Sequence, residues 1–138
     1  MRERIKEKIN QIEKYLEKIL NIVPETFEEY SENEEKKWSC ERGVERIAEA
    51  LADLGFLILK EREIEEDLDD FIVFDILAKY KVISGELSKK MQELKSMRNI
   101  IVHLYGEVND ETVYNSIKNE LEKDVNDFLD SIRRKNEI

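Results

Sequence analysis

The sequence predicts an all-α fold in which residues 1–138 form a single domain. Charged residues make up 41% of the chain and apolar residues another 41%, with four glycines and one proline among 138 residues. Apolar side chains recur at three- and four-residue steps through long segments, as they do on the buried face of a helix. A chain of this length can bury a core of its own without disulfides or metals.

The first helix is predicted from about residue 2 to residue 22, and Pro24 ends it. Its apolar face is a regular series of mostly aliphatic side chains, Ile5, Ile9, Ile12, Leu16, Ile19 and Val23. Thr26 can cap a short helical turn over residues 25–30, because its hydroxyl can accept a hydrogen bond from a free backbone N–H.

A long second helix is predicted from a cap at Asn33 to about Glu63. Gly43 within it has no side chain, so another backbone can approach it closely. The run 56–59 is apolar on all sides, which indicates either a buried helix end or a contact between two subunits. The apolar side of this helix is predicted to comprise Trp38, Cys40 or Arg42, Val44, Ile47, Ala48, Leu51, Leu54, Ile58 and Leu59.

Three further helices complete the prediction. Residues 61–70 form an acidic connection, and the apolar run from Phe71 to about Val82 fits a short third helix, because no partner strand is apparent. Ser84 caps a fourth helix that ends at Gly106. Asn109 or Asp110 caps the last helix, whose apolar positions are Val113, Ile117, Leu121, Val125, Phe128 and Ile132.

Composition also limits the function. The single cysteine, Cys40, excludes an intramolecular disulfide and a multi-cysteine metal site. The chain has no apolar run of about 18 residues and no signal-peptide pattern, so we expect a cytoplasmic protein without a membrane segment. The net charge of −10 means that any nucleic-acid contact must be local, brief or helped by a partner. An acidic surface also suits a basic protein partner.

The fourth helix carries the segment with the most candidate catalytic or binding side chains, Met97–Gly106. This segment contains the only histidine of the chain, His103. Arg98 and Tyr105 lie nearly in line beside its apolar stripe, and Asn99 and His103 lie together on roughly the opposite side. Because isoleucine and valine flank this second pair, we expect the helix to be covered on more than one side, by another helix or by a second subunit.

The pattern Arg98-Asn99-(three residues)-His103-Leu104-Tyr105 resembles the motif of the HEPN superfamily, an arginine followed after four residues by a histidine. The tyrosine two places later is similar to the HepT branch, the toxin half of type VII HepT/MntA toxin–antitoxin pairs. The resemblance extends over most of the chain, including the long second helix, residues 71–83 and residues 108–114. A bare Arg-x4-His pattern is common, and its setting in a small all-helical chain makes it informative.

The resemblance implies a compact antiparallel bundle of about five helices that forms a homodimer around the motif helix. It implies a metal-independent endoribonuclease without a cofactor, in which Arg98 and His103 are the catalytic pair and Asn99 supports them. It also implies an RNA substrate and an MntA-like nucleotidyltransferase antitoxin. This antitoxin would neutralise the toxin by transferring AMP to Tyr105.

Metal-free cleavage of RNA needs a base, an acid and positive charge near the phosphate. His103 can be a base or an acid, but one histidine cannot fill both roles in a single step. A twofold dimer would bring His103 of both subunits into one cleft. Arg98 and His103 are about 140° apart on an ideal helix. Arg98 therefore either wraps round its own helix or meets the histidine of the other subunit.

Two other interpretations stay open. The chain can be a non-catalytic HEPN module that binds a nucleotide or a nucleotidyltransferase partner, which the negative charge favours, or it can be a structural adaptor. Without the resemblance, His103 is a structural or surface residue, Arg98 an ion-pair partner and Tyr105 a core residue with a solvated hydroxyl. Cys40 is expected to be a small side chain on the face of a helix. The acidic runs 61–69 and 119–123 are expected to be solvated, charged segments.

Overall fold

The structure is a computed structural model that describes residues 1–66, 72–103 and 108–138. The chain is helical through most of these ranges, and the all-α prediction is confirmed. The helices, numbered along the chain, are α1 (Arg2–Ile22), α2 (Phe27–Glu32), α3 (Glu34–Glu61), α4 (Ile72–Lys79), α5 (Gly85–His103), α6 (Asp110–Ser116) and α7 (Glu122–Asn136), with a π-helical turn at Ile117–Leu121 between the last two.

Four helices begin where the sequence predicts, each close to a polar residue whose side chain accepts a hydrogen bond from a backbone N–H three residues later. These bonds satisfy N–H groups that the first turn of a helix leaves free. Asn109 rather than Asp110 is the cap of α6. The bonds join Thr26 Oγ1 to Glu29 N at 3.2 Å, Asn33 Oδ1 to Lys36 N at 3.0 Å, Ser84 Oγ to Leu87 N at 3.0 Å and Asn109 Oδ1 to Thr112 N at 3.1 Å.

Much of the core is formed where α1 lies along α3. Gly43 of α3 makes the approach close, because a Cβ atom at this position would lie 2.5 Å from Ile19 Cγ1. Another helix does approach Gly43 closely, but the atoms that fill the space belong to the side chain of Ile19 and not, as predicted, to a backbone. Gly55 has the same effect on α4, since a Cβ atom there would lie 2.9 Å from Val73 Cγ2. The buried residues of α1 are Ile5, Ile9, Ile12, Leu16 and Ile19.

Two helix ends come earlier than predicted. The end of α3 is Glu61 instead of about Glu63, and the end of α4 is Lys79 instead of about Val82. Glu63 and Lys81 have positive φ angles of 58° and 60°, which an α-helix does not continue. The predicted start of the third helix at Phe71 and most of the predicted acidic connection lie outside the described residues.

The last predicted helix is not continuous, because the π-helical turn interrupts it. Residues four apart drift by about 40° per step around an α-helix, and a wider π turn brings them back toward one face. The turn therefore keeps a run of evenly spaced side chains in the core. These buried residues are Val113, Ile117, Leu121 and Val125.

Trp38 is not on the buried side of α3, so its predicted place in the apolar face is wrong. It is 62% exposed, whereas Cys40 and Val44 are fully buried. Residues two apart on a helix point about 160° away from one another, so one face cannot hold both Trp38 and Cys40. The face of α3 that carries Cys40 packs into the core, and Arg42 is exposed.

The motif helix, α5, packs against α3, α4 and α7. Met91 and Leu94 are buried in its first half, while Ile101 is half-buried and Ile100 is 42% exposed near its end. Met91 and Leu94 are therefore covered, whereas the apolar side chains near the end of α5 are covered only in part. None of the helices in the described ranges is long and apolar enough to cross a membrane.

Candidate functional site

The predicted site residues lie in the last turns of α5. Arg98 and Asn99 are half-buried, and His103, the last residue of α5 that the structure describes, is exposed. Tyr105, the predicted modification site, and the predicted helix end at Gly106 lie outside the described residues. The helix therefore presents an arginine, an amide and an imidazole within six residues at one end of the bundle.

The guanidinium of Arg98 is held between α5 and α3. Its Nη2 donates a hydrogen bond to Glu49 Oε1 at 2.5 Å, which is also an ion pair between the two helices. Its Nη1 donates to Asn99 Oδ1 at 3.1 Å. Its Nε is buried and has no hydrogen-bond partner among the described residues. The side chain is 19% exposed, so the guanidinium is oriented from two sides and still reaches solvent.

Arg98 keeps hydrogen-bond donors for a ligand. Each Nη atom of a guanidinium carries two hydrogens, and the bonds to Glu49 and Asn99 use one on each. The planar arrangement of the remaining donors suits the oxygen atoms of a phosphate group.

Asn99 is bonded to Arg98 through its carbonyl oxygen. The family resemblance implies that Asn99 supports the catalytic pair, and its bond to Arg98 is compatible with that role. The amide nitrogen of Asn99 can still donate a hydrogen bond, so the supporting role of this side chain stays a prediction.

Glu49 is the residue of this site that the sequence analysis did not identify. It lies on α3 between Ala48 and Ala50, which are both buried, yet 46% of its own side chain is exposed. A carboxylate within a run of small buried residues is unusual on a core-facing helix. That pattern was available in the sequence, but the partner of the carboxylate depends on how α3 and α5 are aligned.

A concavity of about 520 Å³ opens beside the end of α5. Trp38 and Arg42 on the first turns of α3 contribute to its lining, together with Ile101 and Val102 of α5. Among the residues that the structure describes, no group of three or more histidine, cysteine, aspartate or glutamate side chains is placed to hold a metal ion.

The charges in this concavity are partly paired. Lys37 and Asp110 form an ion pair at 3.0 Å between the starts of α3 and α6. The hydrogen bond to Asp110 raises the pKa of the Lys37 ammonium above its ordinary value. Burial raises the pKa of the Glu41 carboxyl above its usual range. The concavity therefore combines an exposed aromatic ring with a polar lining of mixed charge.

Comparison with known proteins gives a family match over most of the chain. The model of a family described as "Ribonuclease HepT-like" matches residues 12–132. A curated relative, the tRNA nuclease HepT of Aphanizomenon flos-aquae (strain 2012/KM1/D3), is 23% identical over 139 residues. The alignment covers 96% of this chain and 95% of the relative.

Solved structures share the same all-α architecture. The tri-AMPylated HEPN toxin of Shewanella oneidensis, in complex with an MNT antitoxin, has a TM-score of 0.87 and 25% identity, over 94% of this chain and 96% of that one. A toxin–antitoxin crystal structure with AMP-PNP has a TM-score of 0.85 and 24% identity, over 93% and 96% of the two chains. The cytosolic protein YutE of Bacillus subtilis has a TM-score of 0.81 and 20% identity, over 99% and 90%.

Proposed function

The chain belongs to the HepT-like ribonuclease family, and from this premise we propose that it is a toxin that cleaves RNA without a metal ion, through Arg98 and His103. The observation that supports the proposal most directly is the orientation of the Arg98 guanidinium by Glu49 and Asn99. The same helix carries the exposed His103. A guanidinium that can bind phosphate and an imidazole that can transfer a proton therefore lie in the same part of α5.

The proposed reaction is an internal transesterification of RNA. The 2′-oxygen attacks the adjacent phosphorus, so that a P–O2′ bond forms and the P–O5′ bond breaks. One imidazole accepts the proton of the 2′-hydroxyl, and a second donates a proton to the leaving 5′-oxygen, which yields a 2′,3′-cyclic phosphate and a 5′-hydroxyl. Arg98 stabilises the negative charge that develops on the phosphate oxygens.

We propose a homodimer because this reaction uses two imidazoles and the chain contains one histidine. A twofold axis near the end of α5 would bring both copies of His103 to one phosphate. The partly uncovered apolar side chains near the end of α5 suit a second copy of the chain. Met97, Ile100 and Val108 line a shallow concavity of about 520 Å³ on this surface.

We propose Tyr105 as the residue that a nucleotidyltransferase antitoxin modifies. The support is the position of this tyrosine, two residues after His103, and the likeness to the Shewanella oneidensis toxin, which is tri-AMPylated and bound to an MNT antitoxin. In this hypothesis the AMP group brings a phosphodiester anion to the neighbourhood of Arg98. That anion would compete with the RNA phosphate for the guanidinium.

Transfer RNA is the substrate that we propose to test first, because the curated relative is a tRNA nuclease. This substrate also fits the cytoplasmic location expected from the sequence. The experiment combines growth of cells that express the chain with cleavage of purified tRNA in the presence of EDTA. We expect growth arrest and RNA cleavage with the natural chain, and neither with His103→Ala.

The control for this experiment is Asp53→Asn, which changes a carboxylate whose side chain is 59% exposed on α3 and paired with Lys8. It is expected to arrest growth and cleave RNA as the natural chain does. Cleavage that persists in His103→Ala, or that EDTA abolishes, would contradict the proposed mechanism.

The net charge of −10 favours a second function, a non-catalytic HEPN module that binds a nucleotide or its nucleotidyltransferase partner. The same experiment separates the two. A binding module would leave tRNA intact and growth unaffected, and His103→Ala would still co-purify with the partner.

A further inference from the structure

Trp38 is the most exposed large apolar residue of the described chain, at 62% of its surface. The guanidinium of Arg42, one helical turn later, lies over its ring, with Cζ 5.1 Å from the ring centroid. The two side chains form an aromatic and cationic pair on the outer side of α3. The indole packs into no core here, and its free face is open to a ligand.

The Trp38–Arg42 pair is continuous with the proposed catalytic end of α5. Both residues line the concavity of about 520 Å³, as do Ile101 and Val102, which directly precede His103 in the sequence. A single strand of RNA bound at His103 can therefore extend toward this concavity.

We propose that Trp38 stacks on an unpaired nucleobase of the RNA next to the scissile phosphate, while Arg42 contacts the backbone phosphate of the same nucleotide. The inference rests on the proposed function and adds a binding subsite to it. Aromatic rings and guanidinium groups are the side chains with which proteins hold unpaired bases, because every base has a π-face. Arg42 supplies a cation beside the ring in a lining of mixed charge.

The lining of the concavity, in which charged side chains stand beside apolar ones, favours a nucleobase over a protein surface. Asp110 is already paired with Lys37, and Glu41 and Glu45 contribute carboxylates that can accept hydrogen bonds from the amino groups of a base. A second copy of the chain is better matched by the more apolar surface around Met97 and Ile100.

The chain contains one tryptophan, so its intrinsic fluorescence reports on Trp38 alone. The test uses the His103→Ala chain, which binds RNA without cleaving it under the proposed mechanism, and a short unstructured oligoadenylate. We expect saturable quenching of the emission by the oligonucleotide. AMP alone is expected to quench only at much higher concentration, because it lacks the contacts of the neighbouring phosphates.

The affinity for a dye-labelled oligoadenylate gives a second readout. We expect Trp38→Ala to raise Kd on the order of tenfold, and Trp38→Tyr, which keeps a stacking ring, to raise it by about twofold or less. Arg42→Gln is expected to weaken binding more than Arg42→Lys. The matched control is Tyr80→Ala, because Tyr80 is 43% exposed and has the ammonium of Lys79 5.6 Å from its ring centroid, far along the chain from α3.

Two results would overturn the base contact. The first is RNA binding without quenching, with Trp38→Ala binding as tightly as Tyr80→Ala. The second is an emission that, before RNA is added, is blue-shifted and shielded from acrylamide in a concentration-dependent way, since a second copy would then cover the ring. Cleavage of tRNA by the natural chain is measured separately, so failure of the proposed nuclease and failure of this subsite are distinguishable.

Discussion

Glu49 of α3 and Arg98 of α5 form an ion pair in which the carboxylate oxygen and the guanidinium nitrogen are 2.5 Å apart. A partly exposed pair contributes little to the free energy of unfolding. The pair matters for orientation, because it holds the guanidinium of Arg98, which is proposed to bind phosphate, against α3, a helix outside the motif. Glu49 is in this interpretation a positioning residue that acts through Arg98.

Replacement of Glu49 is expected to lower the turnover rate in a graded way. Glu49→Gln keeps an acceptor for the guanidinium, and we expect kcat for tRNA cleavage to fall about tenfold, whereas Glu49→Ala removes the acceptor and should lower it about a hundredfold. KM is expected to change much less than kcat. Steady-state kinetics of both variants measure the effects on kcat and KM separately. Asp53→Asn is the control on the same helix.

The positioning role of Glu49 would be refuted if kcat fell equally in Glu49→Gln and Glu49→Ala and the acidic limb of the pH–rate profile disappeared. Such a result would mean that the carboxylate itself transfers a proton.

Mixing of subunits tests the shared site that the single histidine implies. When natural and His103→Ala chains are co-expressed in equal amounts, about one quarter of the dimers carry two intact histidines. Because the proposed reaction uses both imidazoles, activity should fall with the square of the natural fraction. A linear fall would show that each subunit cleaves RNA with its own histidine.

Gly43→Ala is expected to destabilise the fold. The new Cβ would lie 2.5 Å from Ile19 Cγ1, and overpacking of this kind costs about 1–3 kcal/mol, partly offset by the better helix propensity of alanine. The free energy of unfolding from urea titrations measures the loss. Gly85→Ala is the control, since its Cβ would meet nothing within 4 Å. Equal stability of the two variants would mean that α1 can move away from α3 at no cost.

Alkaline pH is expected to destabilise the protein through Cys40. Burial raises the pKa of this thiol from 9.0 to about 11, so the folded state holds the proton more tightly than the unfolded state. The resulting stability is complete below about pH 9 and is lost as the pH rises toward 11. Urea midpoints between pH 8 and pH 11 should therefore fall.

The matched variant for this pH prediction is Cys40→Ala. It should start from a lower midpoint because of the lost packing, and its midpoint should fall less steeply with pH. Burial also raises the pKa of the Tyr30 hydroxyl, so Tyr30→Phe should flatten the curve further at the alkaline end. If the urea midpoints of both variants fell with pH as steeply as those of the natural chain, the assignment of this pH dependence to Cys40 and Tyr30 would be contradicted.

The helix starts could be predicted from the sequence because the signals are local. Thr26, Asn33, Ser84 and Asn109 all accept the expected backbone hydrogen bond. Such capping depends only on a few neighbouring residues. The burial of α1 was also predictable, because its aliphatic residues keep a regular spacing along the whole helix.

The features that were missed depend on how the helices meet. Trp38 and Cys40 both fitted an apolar pattern, and only the position of α3 in the bundle decides which of them the core covers. The ion pair between Glu49 and Arg98 depends in the same way on the alignment of two helices that are distant in sequence. The π turn had a signal, the repeated four-residue spacing from Val113, but that spacing is also compatible with an α-helix.

RNA would receive little long-range attraction from this chain. Its net charge is −10, and the guanidinium proposed to bind phosphate already carries a counter-charge, Glu49. Electrostatic steering speeds association only when a cleft and its ligand have opposite signs, and dissolved salt screens the repulsion when they do not. Encounters should therefore become more frequent as ionic strength rises. Under the proposed function, the rate of encounter then depends mainly on the concentration of the RNA.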